Sequence, residues 1–327
     1  MKKILLITPE FFQYYKYISD ELCRQGCSVE RFRDIPGTST FVRALSRLNK
    51  SFIKPAAQKH LDKIIAKSKE CQFDTVILIY GMTFSFSPQM IKKLKDALPC
   101  ASFVLYLWDS VKNLPGSSDI IPLFDKVFSF DAGDCKNGIS FLPLFYSDRY
   151  KNIADERNDT EYFCAYVGTA HPQKLKHIND MSSLLSKRYP NQFIYHYIPS
   201  SLKYYYHKLK DSEYKNVKLS DLNTDKLSFE RIANIFSRSV CILDAPQSGQ
   251  TGLTMRTIEA LGAKRKLITT NQTIKNYDFY DPANIYVYTP GDEFDFESEF
   301  FNSPYNELPA EIYEKYSLSH WVASLLS

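Results

Sequence analysis

The chain contains no apolar run long enough to form a membrane-spanning helix. Its seven cysteines, at positions 23, 27, 71, 100, 135, 164 and 241, are odd in number and include no CxxC pair. A disulfide framework or structural zinc site is therefore not indicated, and a reducing compartment fits. Cys164 and Cys241 lie inside apolar runs, where cysteine acts as a small core residue. Excess charge is also scarce: 41 Lys and Arg against 37 Asp and Glu leave +4, too mild to point to nucleic acid. Neither a GxSxG nucleophile elbow nor a P-loop occurs. The opening residues MKKILLIT carry a shorter apolar run than a signal peptide needs, so a cytoplasmic protein is expected.

What is present is a globular composition, 44% hydrophobic and 24% charged over 327 residues, enough chain for two domains with cores of their own. The 23 Tyr and 23 Phe suit a carbohydrate or membrane interface, and cores built from Phe and Tyr account for them equally well. Basic residues gather in two places. Phe41–Lys69 carries Arg43, Arg47, Lys50, Lys54, Lys59, Lys63, Lys67 and Lys69 on a helical pattern, broken or kinked near Pro55. Lys203–Lys210 reads KYYYHKLK. Each fits either a solvated helix face or peripheral contact with an anionic inner membrane face.

Short apolar runs alternate with amphipathic stretches. Strands are expected at Lys3–Thr8, Ser28–Phe32, Thr75–Tyr80, Ser102–Trp108 and Lys126–Phe130, with helices over Phe12–Gln25 and Pro88–Ala97. The polar stretch Arg149–Thr160 reads as an interdomain linker. Strands then recur at Tyr162–Val167, Phe193–Ile198, Asn216–Leu219, Ser239–Leu243, Lys266–Thr270 and Asn284–Tyr288. Helices are expected over Gln173–Lys187, Phe229–Ser237 and Pro309–Leu326. This is the pattern of α/β structure with parallel sheets, as two Rossmann-like halves.

The most informative segment is 239–271, which reads as strand, Gly-punctuated loop, helix from about Thr251 to Leu261, and strand. A helix that starts at the carboxyl edge of a parallel sheet presents unpaired N–H groups and a positive dipole end, an anion site where such folds bind ligands. Arg256 lies further along that helix as a charged donor for phosphate. A second loop, Gly168-Thr-Ala-His-Pro172, follows a strand, and its glycine permits close ligand approach. Thr169, His171 and Lys174 are placed to reach phosphate oxygens there. Both glycines also fit plain tight turns. Glu259 is placed to accept hydrogen bonds from ribose or sugar hydroxyls, and an exposed glutamate paired with Arg256 or Lys264 is the alternative.

The run TMRTIEALGAKRKLITTN, Thr254–Asn271, resembles the donor-binding helix and following strand of GT-B glycosyltransferases, most nearly those of bacterial capsule and lipopolysaccharide assembly. The resemblance rests on Glu259, Ala260, Gly262 and Leu267–Thr270. It extends over Tyr162–Asn271, and residues 1–150 share only the architecture. It implies two Rossmann-like domains facing across a cleft: an acceptor-binding domain over 1–150, a nucleotide-sugar-binding domain over 160–306, and a C-terminal helix at 307–327 packing back on the first. It implies that Glu259 binds the nucleotide ribose. Gln250, Thr251, Gly252, Leu253 and Thr254 would hold the diphosphate and sugar, and the Gly168 loop would be the first phosphate loop. Many retaining members carry an acid where this chain has Thr251, which leaves retaining and inverting outcomes both open.

In the first half, polar residues follow the strand ends: Glu10, Gly81, Thr83, Asp109, Ser110 and Asp131. Inversion needs a general base, for which Asp109 is the first candidate and Glu10 the second, with Asp109 as a turn cap the plainer alternative. The carboxylate pairs Asp131/Asp134 and Asp292/Asp295 do not follow strands as metal-diphosphate ligands do, so no metal is expected. The expected function is sugar transfer from a nucleoside-diphosphate sugar, as co-substrate and with no cofactor, to a hydroxyl of a lipid-linked or oligosaccharide acceptor in surface polysaccharide synthesis. The alternatives are an inactive nucleotide-sugar-binding or assembly protein and a nucleotide-sugar epimerase of the same fold.

Overall fold

The computed structural model describes residues 1–10, 13–37, 54–114, 116–155, 159–246 and 251–327. They form two compact units, Met1–Pro143 with Leu318–Ser327, and Leu144–Ser317.

The first unit runs β1 (Lys2–Thr8), α1 (Tyr14–Arg24), β2 (Cys27–Arg33), α2 (Lys54–Glu70), β3 (Thr75–Tyr80), α3 (Pro88–Ala97), β4 (Ser102–Leu107), α4 (Ser117–Ile120), β5 (Lys126–Ser129) and β6 (Ile139–Phe141). The sheet order is β2-β1-β3-β4-β5-β6 and every pair is parallel. Ile4–Ile7 and Val76–Ile79 are wholly buried, which is why these strands are unbroken apolar runs rather than alternating ones. Helix α3 starts where the Ser87 hydroxyl accepts from the Met90 N–H and Pro88 takes the first turn. The expected break or kink near Pro55 falls at the edge of the described residues, where Pro55 is the second residue of α2. Residues 41–53 of the expected helix lie outside the described residues.

The second unit runs α5 (Asp148–Asp155), β7 (Tyr162–Thr169), α6 (Pro172–Ser186), β8 (Gln192–Tyr197), α7 (Ser201–Lys210), α8 (Phe229–Ser237), β9 (Ser239–Asp244), α9 (Met255–Gly262), β10 (Lys266–Thr269), β11 (Ile285–Val287), α10 (Glu299–Asn302) and α11 (Ala310–Lys315). Its sheet order is β11-β10-β9-β7-β8, again all parallel.

Three expectations are corrected. The polar stretch read as a linker is largely helix α5. Tyr150 and Ile153, three residues apart, form one buried face, and the Tyr150 ring lies 5.3 Å from that of Phe229 and 5.8 Å from that of Phe236. Asn216–Leu219 is not a strand. The Lys218 N–H is taken by the Asp221 carboxylate, and Lys208 Nζ donates to the Lys215 and Val217 carbonyls, so the backbone is satisfied without a ladder. The expected helix Pro309–Leu326 is two helices in different units, α11 and α12 (Leu318–Leu326). The Tyr313 hydroxyl of α11 donates to the Gly262 carbonyl at 2.6 Å. Trp321 of α12 is buried in the first unit, 4.7 Å from the Tyr106 ring.

Gly262 has a packing reason of its own. A Cβ there would stand 2.4 Å from Cβ and Cγ of Tyr146, so only glycine lets that ring lie against the end of α9.

Candidate functional site

In the second unit the chain leaves β7 for β8 on one side and resumes at β9 on the other. Strand order therefore reverses between β7 and β9, and the carboxyl ends at such a reversal are where open α/β sheets bind ligands. Gly168 and Thr169 end β7, and Asp244 ends β9. Helix α9 begins at Met255, later than the expected start at Thr251, because the Thr254 hydroxyl caps it by accepting from the Thr257 N–H at 3.3 Å. Thr251, Gly252 and Leu253 thus belong to the loop before the helix. Thr251 is exposed and its carbonyl accepts from the Thr273 hydroxyl at 2.6 Å, while Gly252 and Leu253 are buried. Gln250 lies outside the described residues.

A buried polar cluster underlies these loops. Asp244, 1% exposed, accepts at Oδ2 from the hydroxyls of Thr254 at 2.9 Å and Thr257 at 3.2 Å. Its Oδ1 has no hydrogen bond among the described residues and lies 3.9 Å from Lys174 Nζ. The Lys174 side chain is 18% exposed and donates no hydrogen bond among the described residues. Burial pushes its pKa down, Asp244 opposes this, and Arg256 adds to it.

Arg256 points inward. Its guanidinium donates to the Val167 carbonyl, stands 3.4 Å from a Glu259 carboxylate oxygen and lies over the Phe236 ring at 5.2 Å. It therefore ties α9 to the end of β7 and orients Glu259, which is only 4% exposed. Glu259 has the Arg256 partner that the plainer alternative foresaw, but in a buried setting rather than on the surface.

Gly168 is dictated from behind, since a Cβ there would lie 2.3 Å from the Tyr166 hydroxyl. Thr169 and His171 are exposed beside it. Desolvation and the charges of Lys174 and His207 hold the His171 pKa below the usual histidine value, so its ring is neutral near pH 7.

The deepest histidine, His196 on β8, is a pH-sensitive support for this unit. Its Nε2 lies 2.8 Å from the Asn179 carboxamide oxygen, and burial brings its pKa down to about 4. The unfolded ring titrates near 6.5, so its contribution is present above that pH and is lost as pH falls toward 4. The loss reaches up to about 3 kcal/mol. Thermal melts between pH 7 and pH 4.5 should show a falling midpoint in wild type and a shallower fall in His196→Gln.

The first unit has its own reversal, between β1 and β3, and a cavity of about 290 Å³ opens there. Glu10, Arg33, Asp34, Thr83, Trp108 and Asp109 help to line it, so both candidate bases reach one pocket. Their environments differ. Burial raises the Glu10 pKa, but Arg31 Nη1 and Arg33 Nε, each 2.6 Å from its carboxylate, overcome this and hold it below the usual range. A carboxylate so held is a weak proton acceptor. Asp109 Oδ1 accepts from the Ser110 N–H at 2.9 Å and Asn113 Nδ2 at 3.0 Å, which orients the group as a turn cap does. Oδ2 makes no hydrogen bond among the described residues. Asp131 accepts from the Ser110 hydroxyl and the Gly133 N–H, and Asp134 from the Val111 N–H and the Ser129 hydroxyl, so this pair braces the neighbouring loops.

Sequence reasoning missed Asp244 and Asp34. Asp34 is wholly buried and accepts from the Thr83 hydroxyl at 2.6 Å. The available signal was a carboxylate at, or one residue past, the carboxyl end of a strand.

The sequence matches no protein-family model and no curated protein. The structure is similar to solved ones. The apo lipopolysaccharide outer core galactosyltransferase WaaB aligns at TM-score 0.54 and 14% identity over 99% of both chains. The fold is GT-B. HepE of Anabaena, solved with UDP and glucose, aligns at TM-score 0.58 and 11% identity over 100% of this chain and 98% of its own. Sucrose-phosphate synthase from Thermosynechococcus elongatus aligns at TM-score 0.58 and 13% identity over 89% of this chain and 87% of its own. At these identities the likeness is one of fold. The two units are thus the two halves of one GT-B fold, each with its own strand-order reversal.

Proposed function

We propose that this protein is a glycosyltransferase that moves a sugar from a nucleoside-diphosphate sugar to a hydroxyl of a lipid-linked or oligosaccharide acceptor in surface polysaccharide synthesis. The carrying observation is the convergence of three features at the β7/β9 reversal: the Gly168 end of β7, the start of α9, and a mostly buried Lys174 that donates no hydrogen bond among the described residues. Helix N–H groups and one ammonium form a receptor for a diphosphate, and they stabilise the charge that gathers on it when the bond to the sugar breaks. Metal is not needed for that role. Glu259, one turn into α9 and oriented by Arg256, accepts from the ribose hydroxyls. Thr251 and Thr254 contact the donor sugar or diphosphate, as do Thr169 and His171 on the facing loop. The galactosyltransferase neighbour and the neighbour solved with UDP-glucose support a nucleotide-sugar donor.

In an inverting reaction Asp109 takes the acceptor proton as the hydroxyl oxygen attacks the anomeric carbon, and the nucleoside diphosphate leaves with the electrons of the broken bond. The geometry favours Asp109 over Glu10, because Glu10 is held by two guanidinium groups. The acceptor binds the first unit, and the reaction takes place at the cytoplasmic face of the membrane. A second reading, an inactive nucleotide-sugar-binding protein, is favoured by Thr251, which stands where many retaining enzymes carry an acid.

A thermal-shift panel of nucleoside mono- and diphosphates tests the proposal. The correct nucleotide at a hundred times its Kd adds about 2.7 kcal/mol and raises the melting midpoint visibly. Turnover of the matching nucleotide sugar separates the transferase from the binding protein. No shift with any nucleotide would overturn both readings.

A further inference from the structure

Among the described residues, eight large hydrophobic side chains are exposed, and four of them lie on the ten-residue helix α7. Leu202 is 79% exposed, Tyr205 57%, Tyr206 54% and Leu209 91%. Their spacing of i, i+3, i+4 and i+7 puts them on one face. The opposite face fixes the helix to the second unit. Tyr204 is buried and its hydroxyl donates to the Val217 carbonyl at 3.0 Å. His207 pairs with Asp211 at 2.6 Å and stacks on Tyr214, with ring centroids 5.0 Å apart. The amphipathicity of α7 is thus inverted, since a helix on a solvated surface turns its polar side outward.

The charge pattern indicates what covers this face. Residues 201–210 include no acid. Lys203 and Lys210 lie along one edge of the apolar stripe, and Lys210 Nζ donates to the Tyr206 hydroxyl at 2.9 Å. Leucines beside tyrosines, whose rings are apolar and whose tips are polar, with lysines along the edge, match the interfacial zone of an anionic bilayer. The core of a protein–protein interface is instead depleted of lysine.

We propose that α7 docks the second unit on an anionic membrane surface. Leu202 and Leu209 enter the headgroup–acyl boundary, Tyr205 and Tyr206 sit at headgroup level, and Lys203 and Lys210 pair with lipid phosphates. This site lies on residues apart from the donor loops and stands independently of the transferase reading.

Vesicle flotation of the full chain, without nucleotide, is the test. The probes are phosphatidylcholine vesicles with and without phosphatidylglycerol. The expected result is binding to the anionic vesicles alone, weakened by salt. Leu202→Ser/Leu209→Ser and Lys203→Glu/Lys210→Glu should each weaken binding about tenfold or more. All four residues are exposed, and melting curves will show that the variants fold. Failure of wild type to bind, or equal binding by folded variants, would overturn the proposal. So would a dimer on gel filtration that Leu202→Ser/Leu209→Ser abolishes, which would assign the face to a second copy of the chain. None of these results bears on nucleotide binding, so the donor-site reading stands or falls separately.

Discussion

Replacing Glu259 with alanine is expected to lower affinity for the nucleoside diphosphate by about a hundredfold or more, and transfer with it. A charged acceptor bonded to two ribose hydroxyls contributes about 1.5–3 kcal/mol per hydrogen bond, and each 1.4 kcal/mol is tenfold. The same substitution has a structural cost, because Glu259 is 4% exposed and its carboxylate faces the Arg256 guanidinium. In the alanine variant that guanidinium keeps the Val167 carbonyl and the Phe236 ring but loses its carboxylate partner, so the melting midpoint also falls. Glu259→Gln keeps the shape and one acceptor oxygen, and it should recover most of the stability but little of the affinity. Titration calorimetry beside melting curves resolves the two effects. If a folded alanine variant binds nucleotide as wild type does, Glu259 serves only as the partner of Arg256.

Asp244→Ala should produce the largest loss of stability in the second unit. The carboxylate is 1% exposed, anchors the hydroxyls of Thr254 and Thr257 at the start of α9, and is the nearest negative group to Lys174. Its removal leaves an ammonium that is mostly buried without a counter-charge and frees two hydroxyls at a helix cap. Breaking a buried pair costs about 3–5 kcal/mol. The separation of 3.9 Å places this pair at the lower end. A fall in the melting midpoint on the order of 10 °C follows for a unit of this size. Asp244→Asn retains one acceptor and should fall less. Lys174→Met in the alanine background should restore part of the loss, because it removes the stranded charge, and the double-mutant cycle measures the coupling. An alanine variant that melts with wild type would show that Asp244 is not a keystone of the site.

The helix starts show how far local sequence reaches. Ser87 before Pro88, and Ser228 before Phe229, cap their helices as their residue types suggest, because a cap depends on neighbours three residues away. Local sequence alone puts the start of α9 four residues early, because Thr251 and Thr254 are both capping residue types. Thr254 prevails through Asp244, which lies on another element and holds its hydroxyl. Helix α5 resembles a linker in sequence because two apolar residues look too few to form a face. They suffice only because Phe229 and Phe236 wait to receive them.

The sequence by itself determined the class of fold. Buried strands must be apolar throughout and the helices between them amphipathic, so the central strands of both sheets leave a pattern that needs no partner to be read, whereas a strand as short as β6 does not and a turn such as 216–219 imitates one. It also placed glycines where the backbone closes on a neighbour, without naming that neighbour. Tertiary structure decided the rest. It set Tyr166 behind Gly168 and Tyr146 against Gly262, turned Arg256 inward to Glu259, and matched Lys174 with Asp244. It also bound Glu10 to two arginines and left Asp109 with neutral hydrogen-bond partners. Periodicity is a local property and survives in a linear reading. Which charges meet, and so which carboxylate is held and which can take a proton, follows from strand order, because that order brings distant residues to one sheet edge.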